Sequence, residues 1–323
     1  MAGILFVPAF VNLKNEVMPV ENCLLTQQTT ITGKWKNKKY KPLKKLGSGG
    51  TAKVYLVRSM EDNKQYAMKV SQDTLSINRE YQLLKKFHFI DFVVNVFDID
   101  DFVIENNLKH FLLIEYIPGV NLKDYLLKSP ITIDIALGII MIILEELENI
   151  HGLGYVLGDL KLENIMLDNN HKKIRLIDLG GVVEINGAIK EYTPAYDRGA
   201  WRCGERKAEA SYDVFSVLMM LTRLIIGAKI DPNKDNINSI ILKIKNKDIS
   251  HELKELLITS YREKNLNLKY IKEKIKEIYN IEKNRVRIEK EKKKNKVINL
   301  AFLASSVFLL STFFLITILM LVK

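Results

Sequence analysis

The sequence predicts an α+β chain followed by one membrane-crossing helix. Three stretches carry that expectation. The first is Tyr155-Val156-Leu157-Gly158-Asp159-Leu160-Lys161-Leu162-Glu163-Asn164, with a further acid at Asp178-Leu179-Gly180. These residue types at this spacing suit phosphoryl transfer. Asp159 can take a proton from an attacking hydroxyl, Lys161 can neutralise a moving phosphate, and Asn164 with Asp178 can hold Mg²⁺. The second is the glycine cluster within Leu46 to Tyr55, followed by Tyr66-Ala67-Met68-Lys69-Val70. The third is Val297 to Val322, 26 residues without a charge.

D-x-K-x-x-x-N followed by I-D-L-G resembles the catalytic and metal-binding loops of eukaryotic-like (Hanks-type) Ser/Thr protein kinases. The resemblance covers roughly Tyr40 to Ile278. It implies the bilobal protein-kinase fold (a β-rich small lobe and an α-rich large lobe), ATP and Mg²⁺ as cofactors and protein hydroxyls as substrates. The Gly-Lys-Trp lead-in, the Leu-Gly-Asp variant and the bare C-terminal span are most similar to the YabT-type membrane kinases of spore-forming bacteria.

On this reading residues 1–33 are an N-terminal extension and 34–280 the kinase domain, with the small lobe at 34–117 and the large lobe at 118–280. Residues 281–296 are a basic juxtamembrane segment and 297–322 the span. Ala2 to Leu13 is apolar but lacks a basic n-region and a cleavage site, so it does not read as a signal peptide. Lys34-Trp35-Lys36 and Tyr40 read as the first strands. Gly47 and Gly49 resemble the first two glycines of the phosphate-covering loop, with Ala52 where the third is usual. Lys69 on its apolar strand would reach the α- and β-phosphates, and an unpaired Lys there is costly. Its partner is Glu80, on a helix whose Leu83, Leu84 and Phe87 form one apolar face. Without Lys69 upstream, Glu80 would read as a solvated helix charge.

Phe111 to Gly119, an apolar strand ending in Pro-Gly, looks like the hinge between lobes, with Ile114 at its entrance. By resemblance, backbone groups of Glu115 and Ile117 bond the adenine, and Val54, Ala67 and Met166 sandwich it. Taken separately, these apolar residues are ordinary core. Asp213, in the helix from Tyr212 to Leu218, would bond the catalytic-loop backbone. It also reads as an acid favoured at a helix N-terminus.

Three departures from the family pattern stand out. Leu157-Gly158-Asp159 replaces H-R-D, and in the family the missing Arg binds a phosphorylated activation loop. Consistently, Gly181 to Glu191 contains no Ser or Thr. Leu157 and Leu179 take the usual His and Phe places and are expected to stack with Leu84. Thr193-Pro194-Ala195-Tyr196 resembles the T-P-x-Y loop, but Gly199-Ala200-Trp201 follows where A-P-E is usual, and its arginine partner is not evident.

The 323 residues fit one bilobal domain with appendages, and the apolar fraction of 47% suffices for its core. Cys23 and Cys203 make no disulfide framework, and the five histidines have no metal-ligand spacing with them. The net charge of +11 is concentrated. Lys34 to Lys45 holds seven lysines, and Glu282 to Lys296 holds eight Lys/Arg against three Glu. The span, about 39 Å as a helix, exceeds the ~30 Å hydrocarbon core. Basic residues before it and only Lys323 after it keep the N-terminal side cytoplasmic. The expected partners are protein substrates, the bilayer, anionic lipid or DNA at the basic segment, and a second copy through self-association. The alternatives are a nucleotide-binding pseudokinase or scaffold, and a small-molecule phosphotransferase. The complete set Lys69, Glu80, Asp159, Lys161, Asn164 and Asp178 argues against the first. Lys161 and the T-P-x-Y loop argue against the second.

Overall fold

The computed structural model describes residue 25 and residues 29–50, 52–169 and 172–321. Ala2–Leu13, Cys23, His171 and Val322 lie outside the described residues. The chain opens with a six-stranded antiparallel sheet. Its strands are β1 (Ile31–Thr32), β2 (Lys39–Ser48), β3 (Ala52–Ser59), β4 (Gln65–Ser71), β5 (Val96–Ile104) and β6 (Asn107–Glu115). Their order across the sheet is β1-β2-β3-β4-β6-β5. Period-two alternation gives the sheet two apolar faces. One packs Tyr40, Tyr55, Val57, Met68, Phe111 and Leu113 with Leu25 and Ile31. The other meets helix α1 (Thr74–Lys86), where Leu83, Leu84 and the C-capping Phe87 are buried as the apolar stripe requires. Asp73 caps that helix, accepting from the N–H groups of Leu75 and Ser76 at 3.0 and 3.1 Å.

The sheet begins at Ile31, ahead of Lys34, and the expected strand over Lys34-Trp35-Lys36 is a turn instead. Asp100 on β5 decides this, because its carboxylate accepts the main-chain N–H groups of Trp35 and Lys36, each at 3.0 Å. Those two donors are therefore lost to any strand ladder.

Beyond Glu115 the chain crosses to the second lobe through Pro118-Gly119. Strand β7 (Gly119–Asn121) packs so closely on its neighbour that a Cβ at Gly119 would sit 1.8 Å from the Leu167 carbonyl oxygen. Only glycine permits that approach. Helices α2 (Leu122–Lys128) and α3 (Ile133–Gly152) follow, then the two-residue β8 (Tyr155–Val156), β9 (Ile165–Asp168), β10 (Ile174–Leu176) and β11 (Val183–Glu184). β9 lies between β7 and β10, and β8 pairs with β11. Helix α4 (Ala210–Ile226) is buried at every position from Ser211 to Ile225 and forms the axis of the lobe. α5 (Ile237–Lys245), α6 (His251–Ser260) and the 54-residue α7 (Leu268–Leu321) pack around it.

From Val297 onward α7 presents exposed apolar side chains, among them Ile298, Leu300, Phe302, Leu303 and Phe308. By length and composition it is long and apolar enough to cross a membrane.

Candidate active site

Strand β4 carries Lys69 to the cleft between the lobes, where burial would discharge an isolated ammonium. Two carboxylates prevent that. Lys69 Nζ lies 2.7 Å from Glu80 Oε2 and 3.0 Å from Asp178 Oδ1. Burial works against the Lys69 charge, but Glu80 and Asp178 outweigh it and hold the ammonium above its ordinary pKa. Burial raises the Glu80 carboxyl against the pull of Lys69. Asp178 is held below the usual carboxylate range despite its own burial, because Lys69 and the Gly180 N–H stabilise its charge. Glu80 Oε1 also lies 3.5 Å from the Leu179 N–H, so one helix residue touches both the lysine and the loop after Asp178. Leu84, Leu157 and Leu179 are all buried in one continuous core.

The catalytic-loop residues converge around Asp159. Its Oδ1 accepts the Thr193 hydroxyl at 2.7 Å, and its Oδ2 is paired with Lys161 Nζ. Lys161 also reaches Thr193 Oγ1 at 3.3 Å, closing a triangle of acid, base and hydroxyl. Asn164 is buried and donates to the Asp159 carbonyl at 3.3 Å, while its own carbonyl accepts the Ile177 N–H at 3.0 Å. The chain thus brings Asp178 next to Asn164. Asp213 fixes the loop from below, accepting the N–H groups of Leu157 and Gly158 at 2.8 and 3.0 Å and His151 Nε2 at 2.8 Å.

The donor set suits Mg²⁺. Among the described residues Asp178 Oδ2 and the Asn164 amide oxygen make no protein hydrogen bond. Two oxygen ligands completed by phosphates and water are what a nucleotide-bound Mg²⁺ requires. The residues expected to flank an adenine come from both lobes. Ala67 and Ile114 are register partners across β4 and β6, Val54 pairs with Lys69, and Met166 lies on β9. Ile117 is buried, and among the described residues its main-chain groups make no hydrogen bond, leaving them for a base. The Glu115 N–H is taken by the Asn95 carbonyl at 2.8 Å, and its carboxylate is held by Arg175 at 2.6 and 3.1 Å. Only the Glu115 carbonyl remains as a candidate contact. Gly47 pairs with Val54, and Gly49 donates to the Ala52 carbonyl at 2.8 Å, so the glycine cluster is the turn between β2 and β3.

These elements recur together in one family. Residues 40–294 match the protein kinase domain. The chain belongs to the protein kinase family. It is 38% identical over 215 residues to serine/threonine-protein kinase YabT of Bacillus subtilis (strain 168), a match covering 65% of this chain and 62% of YabT. It is 28% identical over 203 residues to maternal embryonic leucine zipper kinase of Danio rerio, covering 59% of this chain and 29% of that protein. The chain therefore spans less than two thirds of the length of these relatives.

Within the kinase frame, the departures seen in the sequence have structural causes. Gly158, in the family's Arg position, has φ +74°, and a Cβ there would lie 2.5 Å from the Gly181 carbonyl oxygen. The segment after Asp178 therefore rests directly on the catalytic loop, in space a side chain would need. Arg79, beside Glu80, donates to the Val182 carbonyl and ties α1 to the same segment.

At the A-P-E position the structure supplies charges that sequence reasoning missed. Asp197 is buried and accepts Arg206 Nε at 3.1 Å and Nη2 at 2.5 Å, the Tyr212 hydroxyl at 2.9 Å and the Ala200 N–H at 2.9 Å. Burial opposes its charge, yet Arg206 and Tyr212 hold its pKa below the usual range. Arg198 is likewise buried and pairs with Glu209 and the Ser211 hydroxyl. Where the family's glutamate and its arginine are missing, two local pairs fasten the loop end to α4 instead. An acid directly after T-P-A-Y was the one available signal.

Proposed function

We propose that this chain is a Ser/Thr protein kinase that transfers the γ-phosphoryl group of ATP to protein hydroxyls and is anchored to a membrane by α7, with its catalytic domain in the cytoplasm. The observation that carries the reading is the triangle of Asp159, Lys161 and the Thr193 hydroxyl, opposite the Lys69–Glu80–Asp178 cluster. Bound Mg·ATP supplies the electrophilic phosphorus. Asp159 occupies the place of a general base, since its carboxylate already accepts a hydroxyl hydrogen at 2.7 Å. Lys161 lies beside the same hydroxyl and is positioned to balance negative charge as the phosphoryl group moves. Lys69 positions the phosphates and Glu80 positions Lys69, while Asn164 and Asp178 hold the metal. Gly47 and Gly49 cover the phosphates. Val54, Ala67, Met166 and the main chain of Glu115 and Ile117 hold the base. The domain boundaries given above are part of the proposal. The name of YabT as a serine/threonine kinase supports the choice of hydroxyl.

Purified full-length protein with Mg·ATP should label itself on Ser or Thr. Asp159→Asn should lower the rate by about 10²- to 10⁴-fold while nucleotide binding persists. Equal labelling of both proteins would replace the enzyme by a pseudokinase, and labelling only of added small alcohols or aminoglycosides would make it a small-molecule phosphotransferase. Deleting residues 297–323 should move the protein to the soluble fraction. Protease outside intact protoplasts should leave the domain uncut, and external digestion would reverse the orientation.

A further inference from the structure

Helix α7 begins inside the catalytic lobe. Ile271, Ile275 and Ile278 are buried in the main core, and Lys272 pairs with Glu148 and lies 3.5 Å from Glu145 on α3. Glu282 is buried, its carboxylate accepting the Ser250 N–H at 2.5 Å where α6 starts. Further along, Val286 and Lys290 line a hollow of about 430 Å³ together with Ile131 and Ile133. The order of these contacts gives a direction. Residue 272 meets the C-terminal half of α3, and residues 286–290 meet its N-terminal end. Helix α7 therefore runs antiparallel to α3 and leaves the lobe beside the turn that joins α2 to α3.

No glycine, proline, serine or threonine occurs between Leu268 and Val297, so the helix has no sequence cause for a kink before its apolar run. From Lys290 to the first residue of the uncharged run, Val297, it rises only about 10 Å. One headgroup layer is about 5–8 Å thick, the difference between a ~30 Å core and a 40–45 Å bilayer shared by two leaflets. Lys290 therefore stands just outside the headgroup layer, within reach of its phosphates through the length of its own side chain.

The residues found there suit that position. Leu127, near the end of α2, is 74% exposed, and Lys128 beside it is also exposed. The turn opens onto a second hollow of about 400 Å³, which shares Ile131, Ile225 and Lys247 with the first. Three acids nearby are engaged, Asp248 by Arg285, Glu282 by the Ser250 N–H and Glu289 by Arg285 at 3.6 Å, while Asp134 Oδ1 has no hydrogen-bond partner among the described residues. Lys247 donates to the Ile226 carbonyl at 3.0 Å. Lys128 and Lys290 have no acidic partner among the described residues, which leaves them for phosphate. An exposed leucine next to an exposed lysine is the composition of an interfacial contact.

We propose that the α2–α3 turn, Leu127 to Ile131, is a membrane-contact surface held at the headgroups of an anionic bilayer by the unbroken helix α7. This rests on the membrane reading of α7. The domain is thereby mounted in a fixed orientation rather than tethered, and the turn and the basic face of α7 grip the same leaflet.

The test places the full-length chain in nanodiscs of phosphatidylcholine and phosphatidylglycerol carrying a nitroxide near the headgroups. Leu127→Trp is compared with Leu75→Trp, whose site on α1 is 83% exposed and lies in the other lobe. After subtraction of the wild-type signal, Leu127→Trp should be quenched by roughly twofold or more over Leu75→Trp, as an interfacial site requires. A Gly-Ser linker inserted after Lys294 should abolish the difference while the chain stays in the nanodisc. Equal quenching at the two sites in inserted protein would overturn the proposal. Quenching at the turn that survives the linker would overturn the role given to α7. A wild-type chain that fails to enter nanodiscs at all would instead sink the membrane reading on which this rests.

Discussion

The catalytic loop and the segment that follows it are built on different principles. Between Asp159 and Asn164 the polar side chains Asp159, Lys161 and Asn164 are those the family pattern names, at the spacing it names. Between Gly181 and Glu209 little besides Thr193-Pro194-Ala195-Tyr196 resembles the family pattern, yet the segment is fastened at both ends. At its start Gly181 rests on Gly158, and Arg79 holds Val182. At its end Asp197 with Arg206, and Arg198 with Glu209, stand where A-P-E is usual. Groups that meet phosphorus or metal must have one charge, one reach and one geometry. A loop end needs only some fixed anchor, and many pairs of opposite charge supply one.

That contrast can be broken by variants of the second region. The largest expected effect is at Asp197. Asp197→Ala strands the Tyr212 hydroxyl and removes both bonds of Arg206, and should cost about 2 to 4 kcal/mol, less than a fully buried pair because Arg206 reaches water. Thermal unfolding measures it. The folded-state pKa of Asp197 lies below its unfolded value, so its stabilisation is present above the unfolded pKa and is lost as pH falls through the folded one. The gap between wild type and variant should therefore close as pH drops below about 4. A gap that stays constant down to low pH would mean that Asp197 acts by shape and not by charge.

Next comes Gly158→Arg, which restores the family residue. In a protein whose loop awaited phosphorylation this would be harmless. Here it must force a left-handed backbone and displace the Gly181 carbonyl, at about 2 to 4 kcal/mol and a Tm lower by about 5 to 12 °C. Autophosphorylation should fall with it. An unchanged Tm would show that the Gly158–Gly181 contact is loose.

Arg79→Ala should have the smallest effect, since it removes one hydrogen bond from an exposed residue. About 1 kcal/mol less holding of α1 should appear as a few-fold lower kcat with little change in Tm. A loss as large as that of Asp159→Asn would place Arg79 in the chemistry and not merely in the holding of α1.

Much of this was legible without coordinates. Lys69 and Glu80 were readable because the resemblance to the kinase family marks both places and a buried lysine needs a carboxylate. The hinge was readable from Pro118-Gly119, and the close packing at Gly119 explains why no other residue serves. The turn over Lys34-Trp35-Lys36 was not legible, because its donors are captured by Asp100, some sixty residues on, and no local propensity reports that. The pairs at Asp197 and Arg198 were hidden for a related reason. Their spacings follow the shape of one loop and obey no period.

The sequence alone determined the chemistry and its order along the chain: which residues can meet a phosphate, which can meet a metal, and which run is too apolar for water. Residue type and short spacing decide these matters, and both are local. Tertiary structure alone decided how the parts are held: Gly158 against Gly181, Asp197 against Arg206 and Tyr212, and α7 unbroken from the lobe core into its apolar run. Such contacts depend on which surfaces meet across the fold. Many sequences satisfy that meeting equally well, so it leaves no fixed pattern to read.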